Sequence, residues 1–186
     1  MNRFMQALVW LRRIHRCRGF GIQSPTDYQF VREVVNEHSP YYAYSVVGLH
    51  DSWSRKKIGR LCLRVANHLQ PKTIIDMAGY GEYLAAGCRT ATLCNALEDT
   101  EMAARTLERN ATAVTIVVAD VRHATPELLN LCGKDTTLIL EGIGKNKRQW
   151  ETVRAHNGVT VSFDLYYCGI ATFNDKRAKQ NYIVNF

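Results

Sequence analysis

The apolar pattern of the chain first leaves the helical period at Pro71, and that change constrains the fold more than any other feature of the sequence. Downstream of it, Thr73-Ile74-Ile75-Asp76-Met77 is a short continuous apolar run, the mark of a strand buried on both faces. Similar runs stand near 91–94, 114–119 and 137–140, and helical stretches near 98–109, 125–132 and 146–156 separate them. Strands that alternate with helices predict a parallel sheet with crossover helices on its faces. The last runs, 159–165, 169–173 and 182–186, follow one another through short loops, so the sheet is expected to finish antiparallel. The fold class is α/β.

Upstream of Pro71 the period is helical. Phe4, Leu8 and Leu11 recur at i, i+4 and i+7, with Arg3, Gln6, Arg12, Arg13 and Arg16 off that stripe, which reads as a short basic amphipathic helix. Gly19 and Gly21 break it. Ser24-Pro25-Thr26-Asp27 then has the chemistry of a helix start: a side-chain acceptor for orphan N–H groups, a proline at the first helical position and an acid at the positive end. Tyr28, Val31, Val34 and Val35 form the buried face of that helix, and Ser39-Pro40 ends it. A loop holding Tyr41, Tyr42 and Tyr44 is expected to pack on the core rather than to stack on a substrate. A third helix, near 54–69, turns Ile58, Leu61, Cys62, Val65 and Leu69 inward and Arg55, Lys56, Lys57, Arg60 and Arg64 outward. The chain thus divides into a helical preface, residues 1–70, and a sheet core, residues 71–186.

Composition narrows the class of protein. With 46% hydrophobic and 22% charged residues the chain is neither disordered nor fibrous. The run 4–11 ends in Arg12-Arg13 with no small-residue cleavage site and is too short to span a bilayer; neither a leader nor a membrane partner is expected. Six dispersed cysteines without a C-x-x-C pair predict reduced thiols, no metal site and a cytoplasmic setting. The net charge of +7 is uneven, with basic ends and an acidic middle. The basic faces of the preface could neutralise phosphates, so a nucleic-acid partner is one expectation, although solvated helix faces account for them more simply.

In an α/β sheet, ligands sit beyond the carboxyl ends of the strands, where glycine admits the backbone and helix N-termini offer free N–H groups. The first candidate is Asp76-Met77-Ala78-Gly79-Tyr80-Gly81-Glu82, directly after the first strand. The second is Asn95, at the end of the next strand, where an acid normally takes ribose hydroxyls. The third is Asp120, at the end of the strand after that, where an adenine edge would lie.

At these residues the chain resembles a family. Gly19-Phe20-Gly21-Ile22-Gln23-Ser24-Pro25 and Ser39-Pro40-Tyr41-Tyr42-Ala43-Tyr44 are similar to the helical preface of bacterial class I S-adenosylmethionine-dependent methyltransferase-like proteins, with Gln23 where those relatives carry histidine. The resemblance resumes at Gln70-Pro71-Lys72-Thr73-Ile74-Ile75-Asp76, over 159–173, and over 180–186. It implies a Rossmann-like sheet, S-adenosylmethionine as cofactor and an unidentified methyl acceptor, with Asp76, Ala78, Gly79, Gly81, Asn95 and Asp120 around the cofactor. It also exposes departures. The family's loop glycines fall on Ala78 and Glu82, its ribose acid on Asn95, and about one strand and one helix of its core have no counterpart. Glu141, ahead of Gly142, is the remaining candidate acid or base. These losses favour a catalytically silent relative that keeps the fold as an interaction module over an active methyltransferase, and the sheet edge left by a missing strand is a candidate homodimer contact.

Overall fold

The structure is a computed structural model that describes residues 3–186; Met1 and Asn2, and with them the side chains of Arg3, Phe4 and Arg18 named above, lie outside the described part. Among the described residues seven strands form one mixed sheet: β1 Thr73–Asp76, β2 Thr92–Asn95, β3 Thr115–Asp120, β4 Thr136–Glu141, β5 Val161–Asp164, β6 Cys168–Thr172 and β7 Gln180–Ile183. Their spatial order is β2-β1-β3-β4-β6-β5-β7. The helices are α1 Arg3–Arg12, α2 Pro25–Phe30, α3 Trp53–Leu69, α4 Gly81–Gly87, α5 Thr100–Arg109, α6 Pro126–Leu131 and α7 Lys147–Ala155. The molecule is α/β, as the alternation of periods implies.

The antiparallel part is narrower than expected. β6 runs against both β4 and β5, whereas β7 pairs parallel to β5. The reason is geometric: β4 already occupies the second edge of β6, so the returning chain finds its free N–H and C=O groups on the outer edge of β5.

Period two on the strands assigns two cores. Ile74, Ile116, Val118, Ile139 and Ile170 point to one face, and Ile75, Val117, Ala119, Leu138, Leu140 and Ala171 to the other. The second face is covered by α5, α6 and α7 through Ala103, Leu107, Leu128, Leu129, Trp150 and Val153. The first is covered by the preface: Val31, Val34, Leu61, Cys62 and Val65 share one cluster with the strands and with Tyr83 and Leu84 of α4. The preface is therefore a layer of the same core. Helices α3 and α4 approach closely because Gly59 and Gly87 lie between them; a Cβ on Gly59 would enter the Tyr83 ring, and one on Gly87 the Leu63 carbonyl.

Local chemistry sets the preface. Ser24 Oγ accepts from the Asp27 N–H, Pro25 opens α2, and Asp27 itself is buried against Arg177 at 2.6 Å. The helix then widens into a π segment, Val31–Val35. Arg64 corrects the outward face assigned to α3. It is only 6% exposed, and its Nε and Nη2 donate to the carbonyls of Val34 (2.6 Å) and Val35 (2.9 Å), while Nη1 donates to Tyr44 Oη at 3.0 Å. A helix end leaves carbonyls without partners, and this guanidinium caps them inside the protein. The other cations of that face also turn back onto the protein. Lys57 lies over the rings of Phe186 and Trp53, with its ammonium lowered by burial; Arg60 lies over Tyr44; and Lys56 donates to the Leu49 carbonyl.

Replacing Arg64 by methionine keeps the side-chain volume but strands two buried carbonyls. Urea denaturation is expected to show a loss of about 2–3 kcal/mol, well beyond the few tenths that a solvated surface arginine would cost.

Candidate functional site

The carboxyl ends of β1, β2, β3 and β4 open onto one edge of the sheet, and the side chains there form two crevices. The first, about 580 Å³, is lined by Asp76, Gly79, Gly81 and Asn95 together with Asp51, Arg55 and Glu82. The second, about 560 Å³, is lined by Asp120, Glu141, Gly142, Lys145, Tyr166 and Tyr167. The residues singled out in the sequence are thus split. Asp76, Gly79, Gly81 and Asn95 come together; Asp120 and Glu141 stand apart from them, because β3 pairs with β1 on the side opposite β2. Ala78 contributes its backbone rather than its side chain: its N–H and its carbonyl are both bonded.

In the first crevice the loop after β1 is fixed by its own acid. Asp76 is buried, and its Oδ1 accepts from the N–H groups of Ala78 (3.1 Å) and Gly79 (2.8 Å). Gly79 sits at φ +78, a conformation that a side chain would strain. Above it lies Arg55, which donates to the carbonyls of Ala78 and Gly79, and a Cβ on Gly79 would come within 2.9 Å of its Nη2. The same guanidinium lies 4.5 Å from the centroid of the Tyr80 ring and pairs with Asp51 at 3.4 Å. Asp51 in turn accepts from the Tyr83 phenol at 3.0 Å. Gly81 faces Asp76 Oδ2 and Asn95 Oδ1, where a Cβ would lie 3.2 and 3.3 Å away. Both loop glycines therefore answer close neighbours within the protein.

Tyr80 is the wall between the crevices. It is 1% exposed, and its phenol donates to Glu141 Oε2 at 2.6 Å, joining the loop after β1 to the end of β4. Burial first, and then the negative charge and hydrogen bond of Glu141, raise this phenol far above its usual range, so Tyr80 is the donor. Glu141 is half-buried, and this bond ties it to the loop after β1. Asp120, its register neighbour on β3, is held by Arg122 through Nε at 2.8 Å and the backbone N–H at 2.9 Å. Burial pulls the Asp120 carboxyl upward, but the hydrogen bonds and charge of Arg122 outweigh it and hold the group below its ordinary value. Chemically, the two ends of β3 and β4 offer a pair of carboxylates, one with a neutral donor and one with a cation.

Tyr80 lies inside the first candidate segment and Arg55 on the basic face of the third helix, but the sequence assigns neither side chain a place in the crevice. Arg55 reads as one more cation on a basic helix, and only its place in the first turn of α3, capped by Ser52, aims it at the loop. Tyr80 carried a fainter signal, a large ring between two glycines at a strand-to-helix turn. Among the described residues no cluster of three metal-ligand side chains occurs, and all six cysteines are free thiols. No protein-family model matches the chain, and neither a curated protein nor a solved structure matches it.

Burial, then the hydrogen bond to Asp51, pushes the Tyr83 phenol up to about 12 from an ordinary value near 10. A raised group stabilises the fold fully below its unfolded value and loses that contribution as pH climbs through the folded one. The Tyr41 phenol is raised to about 12 as well, so phenolate absorbance near pH 12 is expected to fall by one tyrosine's share in Tyr83→Phe, and the stability advantage of the parent over this variant is expected to vanish between pH 10 and 12.

Proposed function

We propose that the chain is a shortened class I methyltransferase-like protein whose cofactor crevice is obstructed over its loop glycines by its own side chains, and that it works as a binding module. The observation that carries this reading is Arg55, seated on the Ala78 and Gly79 carbonyls and on the Tyr80 ring. In the doubly wound order the chain adds two strands on one side of β1 before crossing to the other; here it adds β2 alone, which agrees with the loss of one strand and one helix. With that alignment Asp120 belongs to the strand next to β1, where such sheets place groups for the substrate, instead of to the adenine edge.

The residues present fit S-adenosylmethionine poorly. The space over Gly79 belongs to Arg55, Asp76 Oδ1 is engaged by two loop N–H groups, and Gly81 faces Asp76 and Asn95. Glu82 adds a carboxylate where the cofactor would present its own. In that loop Tyr80 is buried, bonded to Glu141 and covered by Arg55. A second reading, a protein that still binds the cofactor, is favoured by the gathering of Asp76, Gly79, Gly81 and Asn95 around one open space of about 580 Å³.

Isothermal titration of cofactor-stripped protein with S-adenosylmethionine and S-adenosylhomocysteine separates the two. The obstructed crevice predicts no heat of binding at high ligand concentration. Micromolar affinity, about 8 kcal/mol, would overturn it and reinstate the search for a methyl acceptor.

A further inference from the structure

Helix α1 is turned the opposite way from an ordinary amphipathic helix, which buries its apolar stripe. Its outward face is Ala7, Trp10 and Leu11, at i, i+3 and i+4, all exposed, and Ile14, which opens the 3-10 segment Ile14–Gly19 that follows, is exposed too; the three large side chains are 48%, 56% and 47% accessible. The contacts that hold this end of the preface to the protein are polar. Arg13 Nη2 pairs with Asp164 at 2.8 Å, its Nη1 donates to the Asp164 carbonyl, and Asn185 donates to the Trp10 carbonyl. Ten residues on, Phe20 stands 79% exposed on a turn between Gly19 and Gly21, both at positive φ. The charge of this region has one sign. Residues 1–26 contain Arg3, Arg12, Arg13, Arg16 and Arg18 and no aspartate or glutamate, and the first acid, Asp27, is engaged by Arg177.

We propose that the outward face of α1 and the Phe20 turn lie on an anionic lipid surface. An exposed helix face of tryptophan and leucine, continued by an exposed isoleucine in the next turn, flanked by arginines and free of acids, has the chemistry of an interfacial segment. Its rings and aliphatic side chains enter the headgroup boundary, while the cations meet lipid phosphates. Ten helical residues, about 15 Å, are too few to cross the bilayer, so the contact is parallel to the surface. A nucleic acid would satisfy the arginines but offers Leu11 and Ile14 no apolar partner. A second copy would bring two faces of the same sign together with no acid to answer them. This inference stands whether or not the crevice binds a cofactor.

The test is co-sedimentation of the full chain with vesicles of phosphatidylcholine containing phosphatidylglycerol, against vesicles of phosphatidylcholine alone. The expected result is binding to the anionic vesicles that weakens with added salt. Trp10→Ser/Leu11→Ser/Ile14→Ser should weaken it about tenfold or more, and Phe20→Ser and Arg12→Glu should each weaken it to a smaller degree. These side chains are exposed, so far-ultraviolet circular dichroism and urea denaturation should be unchanged and binding alone should respond. Absence of sedimentation at low salt would overturn the proposal. So would a triple variant that binds as the parent does, or a duplex RNA that binds as tightly as the vesicles. Light scattering that shows a dimer abolished by the triple variant would reassign the face to self-association.

Discussion

A line of contacts runs across the carboxyl edge of the sheet, from Tyr83 through Asp51 and Arg55 to Tyr80 and Glu141, and the character of the crevice follows from it. Asp51 and Arg55 are only four residues apart, but the other three links join elements far apart in the chain: α4 to the loop before α3, α3 to the loop after β1, and that loop to the end of β4. The buried end, Tyr80 to Glu141, is the stronger. A buried phenol bonded to a half-buried carboxylate loses more by separation than an exposed pair does. The half-exposed pair of Arg55 and Asp51 adds little by charge alone. Its effect is positional, since it sets the guanidinium over two loop carbonyls.

The preface makes this arrangement possible. It covers one face of the sheet as α5, α6 and α7 cover the other, and α3 reaches the crevice because glycines at 59 and 87 let it lie against α4. The basic face of α3 is largely folded back onto carbonyls and rings, which removes most of what suggested a phosphate-binding surface. The basic, apolar surface that does remain open belongs to α1.

Much of the fold was legible because burial on both faces writes itself as continuous apolar runs, as in Ile74-Ile75 and Leu138-Ile139-Leu140. The start of α2 was legible for a different reason: Ser24, Pro25 and Asp27 each satisfy a local backbone need. What escaped were features decided by distant partners. Arg64 and Arg55 have the same local context as solvated arginines, and only the carbonyls of residues 34, 35, 78 and 79 distinguish them. The pairing of β7 with β5 depends on which edge β4 has already taken, and the outward turn of Leu11 on the clasp of Arg13 to Asp164. At the site, the grouping of Asp76, Gly79, Gly81 and Asn95 was legible from strand ends, whereas the separation of Asp120 and Glu141 required the strand order.

The central claim, that Arg55 holds the space over Gly79 while the Tyr80 phenol is bonded to Glu141, is tested most directly by a high-resolution crystal structure of the protein grown with saturating S-adenosylhomocysteine. The account predicts continuous density for the Arg55 guanidinium over Gly79, the Tyr80 phenol bonded to Glu141, and no nucleoside between Gly79 and Asn95. Density for an adenosine with its ribose on Asn95, and an Arg55 side chain swung out of the crevice, would contradict it.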